Sequence, residues 1–414
     1  MLSEKEKLDT LTRLGVDLNQ VQDVDILMER ILTEARRFVN ADAGSIYIRD
    51  KDKLHFTYTQ NETLQQRLHE GEKLIYSTFT VPINKNSIAG YVAETGQPLN
   101  LSDVYRIDST RPYRFDKEFD KATRYITRSV LTLPLITSKG DILGILQIIN
   151  AQRESGQVIA FTHSDEKMMM HFASVAAVAL ARAQMTRAIL LRMMKMAEMR
   201  DPKETGAHVN RVGGYAVEIY EKWARRHSRS QNEIDKNRDI LRMASMLHDV
   251  GKVAISDLIL KKPGRFDAKE YEIMKKHTLF GAQLFLDRQS DFDEAATQVA
   301  LNHHERWDGQ GYPGHVDIAT GKALKEFSGS DGKARGKKAE EIPLYGRIVA
   351  IADVFDALST RRVYKDAWDE SDVLAKIEEG AGRHFDPELV EIFLSCLDLI
   401  RSIQKRYQDD ATNV

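Results

Sequence analysis

The residues with the strongest chemical signal are His303-His304-Glu305-Arg306-Trp307-Asp308-Gly309-Gln310-Gly311-Tyr312-Pro313. Adjacent histidines suit a metal ion. Gly-x-Gly running into Tyr-Pro forces a tight turn that would hold Tyr312 at one place. A loop at the mouth of a metal site is expected. Other candidates lie on either side. Glu204 and His208 are four apart, so on a helix they share one face. His248-Asp249 follows the apolar run 241–247. Neighbouring helical residues point about 100° apart, so such a pair would reach one site from two angles, its carboxylate able to bridge two ions. Lys252 follows one turn later, His277 closes the run 270–277, and Asp353 sits in the apolar segment 348–358. A carboxylate there is costly unless paired or liganded. All of these positions lie on patterns that read as helical.

Singly, each has an ordinary explanation: His277 as a surface histidine beside lysines, His208 as an interhelical hydrogen bonder. The set is harder to explain away, with five histidines, two aspartates and one glutamate. A catalytic zinc takes three protein ligands, so this many suit two or three ions. Mixed imidazole and carboxylate favour divalent iron, or manganese, over calcium or a thiolate-bound metal. Paired ions are a common device for turning water against a phosphoester. His304-Glu305-Arg306-Trp307-Asp308 begins like H-E-x-x-H but ends in Asp, so the zinc-protease pattern is absent.

Positioning these groups is the task of a chain of 414 residues, long enough for two or three domains. It is 42% hydrophobic and 29% charged, ordinary globular values. A net charge of −2 argues against a general binder of nucleic acid or membrane surfaces. The single cysteine, Cys396, lies in an apolar run and is expected in a core, which excludes an internal disulfide or a cysteine-based zinc cluster. No secretory signal and no uncharged run of membrane-spanning length is evident, so a cytoplasmic protein is expected.

Apolar spacing predicts helix over about 4–39, then strands at 44–49 and 53–59. A short helix at 87–95, an extended segment at 97–101, and a hairpin of 129–137 and 142–150 turning at Ser138-Lys139-Gly140-Asp141 follow. These elements add up to one sheet carrying helices. From Ser164 to Arg200 neither Gly nor Pro interrupts a helical pattern, and Ser164-Asp165-Glu166 reads as its cap. Met185, Ile189, Met193 and Met196 form a stripe suited to a helix–helix seam, hence to a homodimer. Two polar stretches, 225–238 and 315–341, stand out in the C-terminal half, the second reading as a flexible surface insertion.

The N-terminal part resembles a GAF domain over about 20–185, in Asp42-Ala43-Gly44-Ser45-Ile46-Tyr47-Ile48, Ile88-Ala89-Gly90-Tyr91-Val92-Ala93-Glu94-Thr95-Gly96, Arg128–Leu135 and the hairpin. The resemblance implies an α+β sensor and dimerisation module whose ligand the sequence does not name. The segment 114–120 lies where some relatives bind a cyclic nucleotide; an ordered surface loop is the simpler reading. From about 195 to 400 the chain closely resembles the HD-GYP branch of the HD hydrolases, in His248-Asp249-Val250-Gly251-Lys252, the His303–Pro313 stretch and Ala352-Asp353-Val354-Phe355-Asp356-Ala357-Leu358. That family implies an all-helical phosphodiesterase acting on cyclic di-GMP, in a few members on cyclic GMP-AMP.

Carried over by position, His208, His248, Asp249, His277, His303, His304 and Asp353 match metal ligands, and Glu204 matches the glutamate of three-metal members. Lys252 matches the lysine near the reacting phosphate; Tyr312, Arg362 and Lys365 match residues that hold substrate. Val363 stands where the family often has proline. The expected layout is a GAF-like sensor over 1–185 with flanking helices, a signalling helix over 164–200 and an HD-GYP domain over 195–405. The expected activity is hydrolysis of cyclic di-GMP to pGpG, with a second cut to GMP open to a chain that loads a third metal near Glu204. A nucleotide hydrolase of another HD type would explain the histidines without Gly-Tyr-Pro. A cyclic-dinucleotide receptor would be favoured had ligands been lost.

Overall fold

A computed structural model describes residues 4–68, 79–198, 206–360 and 368–408. The chain divides into two compact units, Met1–Arg187 and Ala188–Val414.

In the first unit the N-terminal helical stretch is two helices, α1 (Glu4–Gln20) and α2 (Val24–Phe38). Asp23 separates them: its carboxylate accepts from the backbone of Asp25 and Ile26 and so starts α2 afresh. Then follow β1 (Ala41–Asp50), β2 (Lys53–Asn61), α3 (Glu62–Gln65), β3 (Thr80–Pro82), α4 (Ile88–Thr95), β4 (Leu99–Leu101), α5 (Glu118–Thr123), β5 (Val130–Ile136), β6 (Ile142–Gln152), β7 (Val158–Ile159) and α6 (His163–Glu198). The strands form one sheet in the order β3-β2-β1-β6-β5-β4, with β7 beside β6, every pairing antiparallel.

Alternation sorts the sheet's two faces. Ile46, Leu131, Leu133, Leu135, Leu146 and Ile148 enter one core with Leu27, Ile31 and Leu32 of α2 and Phe172, Ala176 and Leu180 of α6. Tyr47, Leu54, Phe56 and Ile145 point the other way, against Ala89, Val92 and Ala93 of α4. The segment around α5 is tied down from within. Buried Asp120 accepts hydrogen bonds from the Tyr105 hydroxyl and from the backbone and hydroxyl of Thr127.

Helix α6 starts one residue before the expected cap. Thr162 Oγ1 accepts from Asp165 N, and the Asp165 carboxylate accepts from Thr162 N, a reciprocal box. By length and composition His163–Met193 is apolar enough to cross a membrane, although no uncharged run within it reaches that length. Its face from Met169 to Ala183, however, is core of the first unit. Met185, Ile189, Met193 and Met196 are between 41% and 68% exposed.

The second unit is helical: α7 (Gly206–Arg226), α8 (Gln231–Met246), α9 (Asp257–Leu260), α10 (Ala268–Lys275), α11 (His277–Gln283), α12 (Asp291–Asn302), α13 (Leu344–Ser359), α14 (Glu370–Glu379), α15 (Pro387–Leu394) and α16 (Leu397–Arg406). Helices α7, α8, α12 and α13 share one core through Val212, Tyr215, Ile219, Leu241, Val299, Ile348 and Phe355, which Phe393 of α15 and Cys396 close. The polar stretch 225–238 is the end of α7 and the start of α8, capped by Ser230. The stretch 315–341 is not the loose insertion expected. It folds back on itself through His315 N to Arg335 O and Arg335 N to Phe327 O. The His315 ring stacks on Phe327 at 3.8 Å, and Gln283 of α11 donates to Ile318 O. Such backbone pairs satisfy groups that polar composition alone would leave to water.

Candidate metal centre

Five elements bring the predicted ligands together. His208 is the third residue of α7, and Asp353 lies within α13. His248 and Asp249 are not inside a helix. They occupy the turn between α8 and a 3-10 segment, Val250–Ala254, that carries Lys252. His303 is the C-cap of α12 and His304 follows it; His277 opens α11. The sequence placed both consecutive pairs on continuing helices because apolar spacing runs on to their edge. A helix end frees both members of a pair from the fixed divergence of about 100° per residue that an intact helix imposes, so they turn toward one centre more directly. Gly251 permits the close packing, since a Cβ on it would collide with His277 O and Gly281 N.

The ligand atoms fall into two groups, Asp249–His277–His303–His304 and His208–His248–Asp353, with the atoms of each group all within 4.8 Å of one another. Asp249 joins them. Its Oδ1 lies 3.1 Å from His277 Nε2 and 3.5 Å from His303 Nε2, its Oδ2 3.3 Å from His248 Nε2. Asp353 Oδ1 is 3.6 Å from His208 Nε2 and 3.8 Å from His248 Nε2.

The outer nitrogens explain why the inner ones face inward. His248 Nδ1 donates to Ser245 O at 2.8 Å, His277 Nδ1 to Met274 O at 2.7 Å, and His303 Nδ1 to Ala300 O at 3.1 Å. His208 Nδ1 donates to Asp356 Oδ2 at 2.8 Å, and Asp356 is itself held by Arg211 Nε at 2.6 Å and the Tyr215 hydroxyl at 3.2 Å. A proton fixed on Nδ1 leaves the Nε2 lone pair for a cation. Burial pushes the His303 imidazole below its usual range, and burial together with neighbouring His303 pushes His304 well below it, so both stay neutral, the form that binds metal. For Asp249 burial works upward, but the opposing charge of Lys252 foremost holds it well below the carboxylate range. Asp249 Oδ1 is buried and accepts no hydrogen bond despite its imidazole neighbours. A buried carboxylate oxygen of that kind, amid inward lone pairs, fits divalent cations and would be costly otherwise.

Around this centre Lys252 Nζ lies 2.7 Å from Asp249 Oδ2. The Tyr312 ring lies 4.9 Å from His304 in a stacked arrangement. Burial, then the nearness of Tyr271, pushes its phenol above the ordinary value, so it remains a hydrogen-bond donor. The loop bearing Tyr312 is braced from beneath by Glu305, whose Oε1 accepts from Gly314 N at 2.6 Å and Oε2 from Lys337 N at 3.2 Å. Gly311 must be glycine, because a Cβ would stand 2.5 Å from Glu305 Cα. On the outside, Trp307 N and Asp308 N donate to His384 O and Arg383 O.

Glu204, Arg362 and Lys365 lie outside the described residues. The bracing role of Glu305, the Asp356–Arg211–Tyr215 cluster and the contribution of Lys337 went unread in the sequence. Asp356 had a visible signal, a second acid on an apolar helix three residues after Asp353. Arg211 and Lys337 had none, being common residues whose burial is set by distant packing.

Residues 23–180 match the family model of the GAF domain and residues 205–358 that of the HD domain, so the chain carries a GAF domain followed by an HD domain. Over 207 residues, half of this chain, it is 39% identical to the 3'3'-cGAMP-specific phosphodiesterase 2 of Vibrio cholerae, and this spans 34% of that protein. It is 37% identical over 227 residues (54% of this chain) to a cyclic di-GMP phosphodiesterase of Vibrio cholerae, of which 42% is covered. It is 36% identical over 218 residues (53% of this chain) to the cyclic di-GMP phosphodiesterase of Thermotoga maritima, of which 51% is covered. The matches thus span about half or less of these relatives' lengths.

Proposed function

We propose that this chain is a metal-dependent phosphodiesterase of the HD-GYP type. It opens cyclic di-GMP to linear pGpG and carries the product on to GMP, under control of the GAF domain. The observation that carries the reading is Asp249, whose two carboxylate oxygens face two separate groups of inward-turned imidazoles. A lone structural aspartate has no need of that arrangement. The names of the relatives point to the same substrate class, cyclic di-GMP and 3'3'-cGAMP.

In this reading His277, His303 and His304 would hold one ion and His208, His248 and Asp353 a second, with Asp249 available to both groups. Glu204 is the ligand reserved for a third. Iron is the preferred metal and manganese its substitute. Bound ions would supply Lewis acidity and an activated water. The chain's own residues do the rest. Asp249 fixes the spacing of the two halves. Lys252, with Arg362 and Lys365, offsets negative charge that grows on the phosphoryl oxygens as the 3′ oxygen leaves. Tyr312, protonated and wedged against His304, positions the substrate. The exposed stripe Met185–Met196 is the seam of a homodimer, and a cytoplasmic location belongs to the same reading.

The test uses protein purified without oxygen, analysed for metal and incubated with cyclic di-GMP and cyclic GMP-AMP, products being separated by chromatography. We expect linear dinucleotide, then GMP, from the native chain. Asp249→Ala should lose turnover by at least about a hundredfold together with bound metal. Full activity in that variant, or metal-replete protein that binds the dinucleotide without turning it over, would overturn the reading, the latter in favour of a receptor.

A further inference from the structure

The aromatic surface does not stop at Tyr312. Helix α10 begins with a reciprocal box, Asp267 accepting from Glu270 N and Glu270 accepting from Asp267 N, which fixes where the helix starts. In that register Tyr271 and Lys275 are four apart and share a face. The Tyr271 ring meets Tyr312 edge to face, centroids 6.3 Å apart. Tyr312 in turn lies against His304 and edge-on to His277. Lys275 Nζ stands 5.4 Å from the Tyr271 ring centre and 5.6 Å from that of Tyr312, and Glu272 holds it at 2.6 Å. A run of rings therefore leads from the metal ligands outward and ends on Tyr271, which is 47% exposed. Core packing does not account for it, since α10 buries none of its side chains fully.

We infer that Tyr271 is a specificity-determining residue: its exposed ring takes one purine base of the dinucleotide while the scissile phosphate sits at the metal centre. The inference rests on the function proposed above. A base has a π-face that stacks on an aromatic side chain whatever its sequence context. The cation of Lys275, paired with Glu272, lies against both rings and holds the two tyrosines in their mutual orientation. Among the described residues Tyr271 meets the site through the Tyr312 ring and not as a candidate metal ligand, so it should govern KM for dinucleotides and be silent toward a phosphodiester without a base.

The experiment compares native protein, Tyr271→Ala and Tyr271→Phe on cyclic di-GMP and on bis(p-nitrophenyl) phosphate, with bound metal measured for each. For Tyr271→Ala we expect KM for cyclic di-GMP to rise about tenfold with kcat little changed. Its bis(p-nitrophenyl) phosphate hydrolysis and metal content should stay within twofold of native. Tyr271→Phe should keep the native KM. An unchanged KM in Tyr271→Ala, or an equal loss on both substrates with loss of metal, overturns the inference while leaving the proposed function standing. Native protein that cleaves bis(p-nitrophenyl) phosphate but leaves cyclic dinucleotides intact overturns both.

Discussion

At the scale of single residues, the proposed metal centre would depend on groups that are not themselves candidate ligands. Asp356 is buried, fixes the His208 tautomer and neutralises Arg211. Exchange for Asn keeps its shape and part of its hydrogen bonding but removes its charge. We expect Asp356→Asn to weaken metal binding about 10- to 100-fold, with activity recovering when metal is raised, as read by titration of the apoprotein. His384 makes a separate prediction. Burial, then nearby Arg306, lowers its folded pKa to about 4. In the unfolded chain it would titrate near 6.5, so the unfolded state binds more protons between these values. The stability it contributes is present above about pH 6.5 and is lost as the pH falls toward 4, up to about 3 kcal/mol. Urea unfolding at pH 7 and pH 5 should show a fall that is smaller in His384→Gln by the corresponding part.

At the scale of elements, the decisive feature is that helices end at the site. The ends of α8 and α12 and the start of α11 deliver His248, Asp249, His303, His304 and His277 without asking consecutive residues to share a helix face. The loop after α12 then folds over Glu305, whose two oxygens serve Gly314 and Lys337. This pins the 315–341 excursion and the Tyr312 loop to the residue next to a ligand. Glutamine at that position has one acceptor oxygen, so one of the two backbone donors loses its partner, at a cost of about 1–3 kcal/mol. Glu305→Gln should therefore raise KM for cyclic di-GMP several-fold and retain metal, measured by steady-state kinetics and metal analysis together. Loss of metal with unchanged KM would show that Glu305 supports the ligands and not the loop.

At the scale of the molecule, the two units have separate cores, one built on a sheet and one on helices. Helix α6 enters the first core from Met169 to Ala183 and then shows an apolar stripe to solvent. Methionine and isoleucine at that exposure fit a seam with a second copy. Light scattering at micromolar concentration should give twice the chain mass, and Met185→Glu combined with Ile189→Glu should give a single chain. A monomeric native protein would remove the dimer from the proposal.

Much of the candidate site was legible in the sequence because its candidate ligands are rare residue types at repeated short spacings, and histidine pairs and carboxylates on apolar helices stand out against a background that packing would choose. The sheet was legible for a similar reason: period-two alternation and a Ser-Lys-Gly-Asp turn are local signals, and β1, β2, β5 and β6 fall where they predict. What local pattern could not decide was where periodicity stops. Asp23 splits the first helical stretch, and α8 and α12 end just at the ligands, because hydrogen bonds from caps and distant partners outweigh a few tenths of a kcal/mol of helix propensity. Nor could it decide which common polar residues are buried. Asp356, Arg211, Glu305 and Lys337 acquire their roles from segments far along the chain that close over them. Residue type and spacing determined by themselves which groups could do chemistry here. The tertiary structure decided that Asp249 faces both groups at once, since the aim of a carboxylate's two oxygens is set by the packing of five separate elements.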